Sequence, residues 1–269
     1  MTLVVTADDL GLSPGVTRGI LQAHREGIVR STSLLVTFPS SEEGAALARR
    51  ERDLEIGLHL DLVGGTPVSD PAKVPTLVGD DGRFLRLAEL TKRLFTRRVR
   101  AQEIATELRA QVERARGWGV PALAWDSHRH VHLMPPVARV VGALARELGA
   151  RWIRRARTPR PSSSLKTAAL HASTLVSELA YRGIPGNTWY LDLTTRRPRL
   201  DATGVALLAT LPGVGELGAH PGYVDDDLRR IDPVLGIRED DLELLIDPLL
   251  QEALGRDCVV WRVRPGARA

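Results

Sequence analysis

Short apolar runs alternate with segments of helical period along most of the chain. The first run, LVVTA at 3 to 7, has the uninterrupted, β-branched character of a strand buried on both faces, and it ends in Asp8 and Asp9. Turn residues follow, Ser13 can cap and Pro14 suits a first helical position, so residues 14 to 27 are predicted as a helix. STSLLVT at 31 to 37, a Ser-initiated, Ala-rich helix ending near Arg52, and LEIGLHLDL at 54 to 62 repeat the alternation. Strand, helix, strand, helix, strand is the pattern of βαβ units with right-handed crossovers, which build a parallel sheet.

The rhythm breaks after Leu62. Residues 63 to 87 are rich in Gly, Pro and Asp, too long for an ordinary connection and too irregular for a helix. Placed directly after a strand end, this insertion is expected to act as a lid. Two helical segments then lead through Gly117 and Gly119 into PALAWDSH, read as a fourth strand. A helix from about 136 to 148, the run ARWIRRAR, a helical period over 165 to 183 and a strand NTWYLDL follow. A helix DATGVALLATL, a strand VGELGAHPG, one helix over 240 to 254 and a last run CVVWRVR complete the order. With 269 residues and neither repeat nor linker, the chain is expected to be a single domain over 1–269 with the lid at about 63–87.

Composition narrows the partners. A formal charge of +4 from 37 basic and 33 acidic residues describes a solvated surface rather than a nucleic-acid footprint. The one basic run, RLFTRRVR at 93 to 100, passes into a helical segment with interspersed acids. Cys258 is the only cysteine, so an intramolecular disulfide and a multi-cysteine zinc site are excluded, as befits a reducing cytoplasm. MTLVVTADD runs straight into a strand without signal-peptide character, and no segment approaches membrane-spanning length. A soluble, cytoplasmic protein is expected, without nucleic-acid or membrane partners and with a homodimer as an admissible assembly.

The chemistry concentrates in WDSHRHVHLMP, Trp125 to Pro135, where Asp126, His128, His130 and His132 occupy alternate positions. Continued as a strand, the run would aim all four at one face. Burying three imidazoles and a carboxylate together requires a group that satisfies them, and a metal ion is the obvious one. Asp8, Asp9, His59 and His220 also stand at or just past predicted strand ends. Those ends form the carboxyl-terminal rim on which α/β barrels and open α/β sheets build active sites. One carboxylate with two imidazoles is a catalytic metal set that leaves positions open for water and substrate, and it suits hydrolysis. Of two adjacent aspartates, one can bind metal while the other faces the water; spacing alone does not say which.

Five texts in order, TADDLGLSPGVTRGI (6 to 20), GIVRSTSLLV (27 to 36), IGLHLDL (56 to 62), DSHRHVHLMPPV (126 to 137) and GELGAHPGY (215 to 223), span most of the chain. In them the chain resembles the YdjC-like carbohydrate deacetylase family, whose best-known activity is chitooligosaccharide deacetylation. The resemblance implies an α/β fold, a distorted (β/α) barrel with a mainly parallel sheet like that of polysaccharide deacetylases. It implies a metal-dependent hydrolase that removes acetyl groups from N-acetylated amino sugars or short oligosaccharides. By the same resemblance Asp9, His59 and His128 hold one divalent ion, Mg2+ by family habit, with Zn2+ the alternative that two imidazoles favour. Asp8 matches the general base, Asp126 is placed to orient a histidine, and His220 could protonate the leaving amine. His130 and His132 would touch substrate or buttress the site. Leu10, Thr17 and the pair Gly218 and Ala219 depart from the family's usual aromatic, Asn and Met-Cys; these changes bear on substrate more than on chemistry.

Trp189 and Tyr190, in a loop-like context, could stack on a sugar ring, and Arg154 or Arg157 could reach the rim. Two rivals remain at this stage. Another metal-dependent hydrolase, a phosphoesterase or a different amidase, could use the same scaffold, although residues 8 to 17 offer no Lys or Arg to cradle a phosphate. A non-catalytic sugar-binding barrel would leave Asp8 unexplained.

Overall fold

The computed structural model describes residues 2–157, 177–193, 201–233, 235–254 and 258–266. Its strands are β1 (Thr2–Leu10), β2 (Ser31–Leu34), β3 (Glu55–Leu60), β4 (Ala124–Ser127), β5 (Trp152–Ile153), β6 (Trp189–Asp192), β7 (Val214–Ala219) and β8 (Val259–Val260). They form one sheet in the order β5-β4-β3-β2-β1-β7-β6, with β8 joined to β1. Every pairing between these strands is parallel. The sheet curls into a half-barrel flanked by helices; the parallel pairing follows from the alternation, and the distorted α/β barrel is the fold the resemblance implied.

β1 is the axis of this sheet. It pairs with β7 from Thr2↔Val214 to Ala7↔Ala219. On its other edge β2 begins only at Thr6, so β8 takes the lower positions at Leu3 and Val4. The β1/β2 register shifts between Ala7 and Leu10, and Asp9 within that irregularity has φ 71. Such a bulge re-aims side chains at a strand end, and here it separates the directions of Asp8 and Asp9.

Helix α1 (Pro14–Arg25) starts as predicted, with the Val16 amide donating to Ser13 Oγ at 3.2 Å. The remaining helices are α2 (Ser41–Ala48), α3 (Leu87–Phe95), α4 (Ala101–Gly117), α5 (Pro135–Leu148), α6 (Ala202–Ala209), α7 (Asp226–Ile231), α8 (Arg238–Leu245) and α9 (Pro248–Leu254). The single helix expected over 240 to 254 is two, because Pro248 has no amide hydrogen to continue α8 and opens α9 instead. Most of the helix expected over 165 to 183 lies outside the described residues, which resume at Ser177 in helical form. Among the described residues no helix is long and apolar enough to cross a membrane.

The 63 to 87 segment is irregular, with one 3₁₀ turn at Pro71–Lys73 and a bridge between Val78 and Phe84. It is nonetheless anchored. Val74 and Leu77 are fully buried, and α4 turns carboxylates toward its backbone. Glu107 accepts the amides of Val68 and Ser69 at 2.9 Å each, and Glu103 accepts the Thr76 amide and hydroxyl at 2.7 Å each.

The alternate histidines do not continue β4. That strand stops at Ser127, and His128–Leu133 coils tightly, with Arg129 and His130 at φ 55 and 56. The Ser127 hydroxyl captures the His132 amide at 2.9 Å, which closes a loop where a strand would have carried on. Asp126, His128, His130 and His132 therefore point to different places.

Candidate metal centre and active site

Asp9 at the bulge of β1, His59 near the end of β3 and His128 just after β4 converge on one point. A ligand atom from each lies within 4.8 Å of the others. Asp9 Oδ1 is 3.0 Å from His128 Nδ1 and 3.5 Å from His59 Nε2. His59 Nδ1 donates to Asp126 Oδ1 at 2.7 Å, which leaves Nε2 as the ring nitrogen that faces Asp9. This is possible because β3 and β4 pair with His59 opposite Asp126. Burial alone would raise the Asp9 carboxyl, but His128, with Arg238 and His220 behind it, outweighs burial and holds the group well below the usual carboxylate range. One ionised oxygen and two imidazole nitrogens fit a divalent ion in the borderline class. Asp8, His59 and Asp126 are equally close together. There, however, the Arg154 guanidinium already lies between the two carboxylates.

Beneath the rim the barrel interior is filled with paired charge. Arg154, fully buried, binds Asp8 through both Nη atoms at 2.6 and 2.8 Å, Asp126 at 2.7 Å and Glu216 at 2.8 Å. Of the two expectations for Arg154, support of the site or contact with substrate, the geometry favours the first: its fork holds Asp8 and Asp126 as well as Glu216. Asp126 also receives Ser33 Oγ at 2.5 Å and Arg262 at 3.0 Å. Arg262 in turn holds Glu55 at 2.8 Å and the Thr32 carbonyl at 2.6 Å. Burial would raise Asp126, yet Arg154, His59 and Arg262 together hold it far below the usual range.

Close enough to Asp9 to act on its charge, His220 follows β7, its amide donating to Asp241 Oδ2 at 2.8 Å. Asp192, the last residue of β6, lies 4.0 Å from His220 Nδ1 and 3.7 Å from His130 Nε2. The His130 ring meets Tyr190 edge-on at 5.5 Å between centroids. His130 Nδ1, His220 Nδ1 and the Tyr190 hydroxyl are buried without a hydrogen-bond partner among the described residues. Gly218, one of the family departures, makes room here, since a Cβ would stand 2.2 Å from the Tyr190 hydroxyl.

His132 is separate from this group. Its Nε2 is 3.1 Å from the Arg154 carbonyl, and its Nδ1 is 2.6 Å from the Ser127 hydroxyl. The carbonyl can only accept, so Nε2 carries the hydrogen. Burial first, then His130 and Arg154, hold its pKa well below that of free imidazole, and the ring is a neutral brace. Trp189 is likewise not at the rim. It is buried on β6 opposite Gly215, level with Leu3 of β1, and its ring fills the volume a side chain at 215 would occupy. The stacking role expected of it is corrected on that ground.

Several participants escaped the sequence reading, Asp192, Arg238, Arg262 and Glu216 among them. Asp192 stands next to last in the predicted strand NTWYLDL and ends the observed β6, so the same strand-end rule as for Asp9 could have found it. Arg238, whose Nη2 is 2.9 Å from Asp9 Oδ2, and Arg262 stand in stretches whose local pattern shows only helix or strand.

A carbohydrate deacetylase of Geobacillus stearothermophilus is 33% identical to this chain over 249 residues, covering 92% of this chain and 90% of that one. One from Vibrio campbellii is 29% identical over 255 residues, covering 94% and 91%. A solved structure from Enterococcus faecalis, described as that of a cellobiose-phosphate cleavage protein, superposes with a TM-score of 0.80 at 26% identity, covering 97% of this chain and 96% of that one. Residues 2–256 match the family model for YdjC-like proteins, and the chain belongs to that family.

Proposed function

We propose that this chain is a metal-dependent hydrolase that removes the acetyl group from N-acetylated amino sugars or short oligosaccharides and releases acetate. One observation carries the reading: ligand atoms of Asp9, His59 and His128 converge on one point, with the tethered carboxylate of Asp8 beside the same His59 and His220 close enough to Asp9 to act on its charge. The carbohydrate deacetylase relatives support the sugar as substrate. A divalent ion held by Asp9, His59 and His128, Mg2+ by family resemblance or Zn2+ by its taste for imidazole, would supply Lewis acidity to the amide carbonyl.

The chain's own residues do the rest. Arg154 fixes Asp8 through both carboxylate oxygens, yet each oxygen keeps a further acceptor position, so Asp8 can take the proton of the attacking water. Asp126 locks the His59 ring in one tautomer. An amine anion does not leave, so a proton must reach the amide nitrogen from the side away from Asp8. His220 supplies it, and the Asp192 carboxylate lies 4.0 Å from its Nδ1. The unpartnered polar atoms of His130, His220 and Tyr190 suit the hydroxyl groups of a sugar.

The test is acetate release from N-acetylglucosamine and its short oligomers, with and without added divalent metal. His220→Ala should depress amide cleavage by roughly 10²-fold or more while sparing an activated acetate ester, whose leaving group needs no proton. Equal losses on both would remove His220 as the acid. No acetate from any N-acetyl sugar under metal-replete conditions would sink the reading.

A further inference from the structure

We propose that a line of alternating charges, Arg129, Asp232, Arg238 and Asp9, sets how tightly the candidate metal centre holds its ion. The proposal rests on Asp9 being a metal ligand. Asp9 divides its two oxygens: Oδ1 faces His59 and His128, while Oδ2 lies 2.9 Å from Nη2 of Arg238. Arg238 is fully buried and is shared, its Nη2 being 3.0 Å from Asp232 Oδ2. Asp232 is shared in turn, Oδ1 accepting from Arg129 at 3.0 Å, and the Arg129 side chain is about a third exposed, at 35%. The line thus runs from solvent to the far oxygen of the ligand carboxylate through two buried charges.

Arg238 acts on the ion through Asp9 and is a positioning residue. Its guanidinium draws electron density to Oδ2, keeps Asp9 on a single oxygen and repels a cation placed beside Oδ1. Asp232 opposes that effect by claiming part of the same guanidinium, and Arg129 weakens Asp232. Each step inverts the sign of the one before. Unit charges a few ångströms apart in a partly buried setting interact strongly enough for this to be measured. The first turn of α8 holds the geometry: the Arg238 carbonyl accepts the Gly222 amide at 3.2 Å and Asp241 accepts that of His220.

A brace and a charge line make different predictions. If Arg238 merely props Asp9, loosening any member of the line weakens metal binding. If charge governs, removing a positive member tightens binding and removing a negative member other than Asp9 weakens it. Mn2+ titrated into the metal-free full chain, with free ion read by electron paramagnetic resonance, separates the two. Asp9→Asn should abolish the stoichiometric site. Arg238→Met should bind on the order of tenfold more tightly and Arg129→Gln roughly threefold more tightly, while Asp232→Asn should bind roughly threefold more weakly. If Arg238→Met does not fold, the surface-end Arg129→Gln and the isosteric Asp232→Asn decide alone. Tighter binding by Arg129→Gln together with weaker binding by Asp232→Asn supports the line; any other pattern overturns it. Wild-type chain without a stoichiometric site that depends on Asp9 would overturn the metal reading and this inference together, whereas an intact Asp9-dependent site with the wrong ordering overturns only the latter.

Discussion

Replacing Asp126 by Asn keeps the size of the side chain and removes one charge from the most crowded point of the interior. Four donors converge on that carboxylate: His59 at 2.7 Å, Ser33 at 2.5 Å, Arg154 at 2.7 Å and Arg262 at 3.0 Å. An amide can accept through only one of its two terminal atoms, so the other would face a donor. Removing one partner of a buried ion pair costs about 3 to 5 kcal/mol. The lower figure, about 3 kcal/mol, applies here, because Arg154 retains Asp8 and Glu216 and Arg262 retains Glu55. At about 2 to 4 °C per kcal/mol for a chain of this size, the metal-free protein should melt about 6 to 12 °C lower. The His59 ring loses its anchor as well, and disturbing such a partner weakens metal binding by about 10- to 100-fold. Calorimetry gives the first number and a Mn2+ titration the second. A drop in Tm under about 2 °C with unchanged metal affinity would refute the reasoning, since Asp126 would then neither balance the two arginines nor orient His59.

Three further outcomes follow from the same geometry. Asp8→Asn should keep its metal and lose on the order of 10² to 10⁴ in kcat; retained turnover, or lost metal, would contradict the base role. His132 binds its proton more weakly in the native protein than in the unfolded chain, so the associated stability is complete above about pH 6.5 and is lost as pH falls below it, by up to about 1.4 kcal/mol per unit. The Tm of the native protein should therefore fall more than that of His132→Gln between pH 7.5 and 5.5, and parallel curves would show that His132 does not resist protonation. Glu107→Ala releases the amides of Val68 and Ser69, and if the 63 to 87 segment covers the rim, KM for the sugar should rise several-fold with metal affinity intact. An unchanged KM in the folded variant would reduce that segment to packing.

The rim residues are legible in the sequence because a βαβ alternation forces every strand end to the same side, whatever the loops do. Asp8, Asp9, His59, Asp126 and His220 all follow from that one rule. The histidine run misleads for a local reason: a period of two fits a strand, but the Ser127 hydroxyl and two residues at positive φ close it into a coil. Trp189 misleads because its complement, Gly215, lies 26 positions away, and only the β6/β7 register shows that the glycine makes a socket for the ring. The buried arginines are invisible for a third reason. Arg154, Arg238 and Arg262 resemble the many solvated arginines of the chain until the fold sets carboxylates around them.

Arg262 reaches the Thr32 carbonyl across 230 positions of sequence, just beyond the short strand that docks beside the beginning of β1. Contacts of such span close late, because the intervening chain must be gathered before they can form. On that ground the barrel floor is expected to be completed after the walls, and with it the second arginine that holds Asp126 behind His59. During synthesis the three candidate ligands emerge well before the residue that finishes their support, so the nascent chain offers a metal only a loose, unbraced version of its site. Full support of the candidate site is expected only when folding is complete.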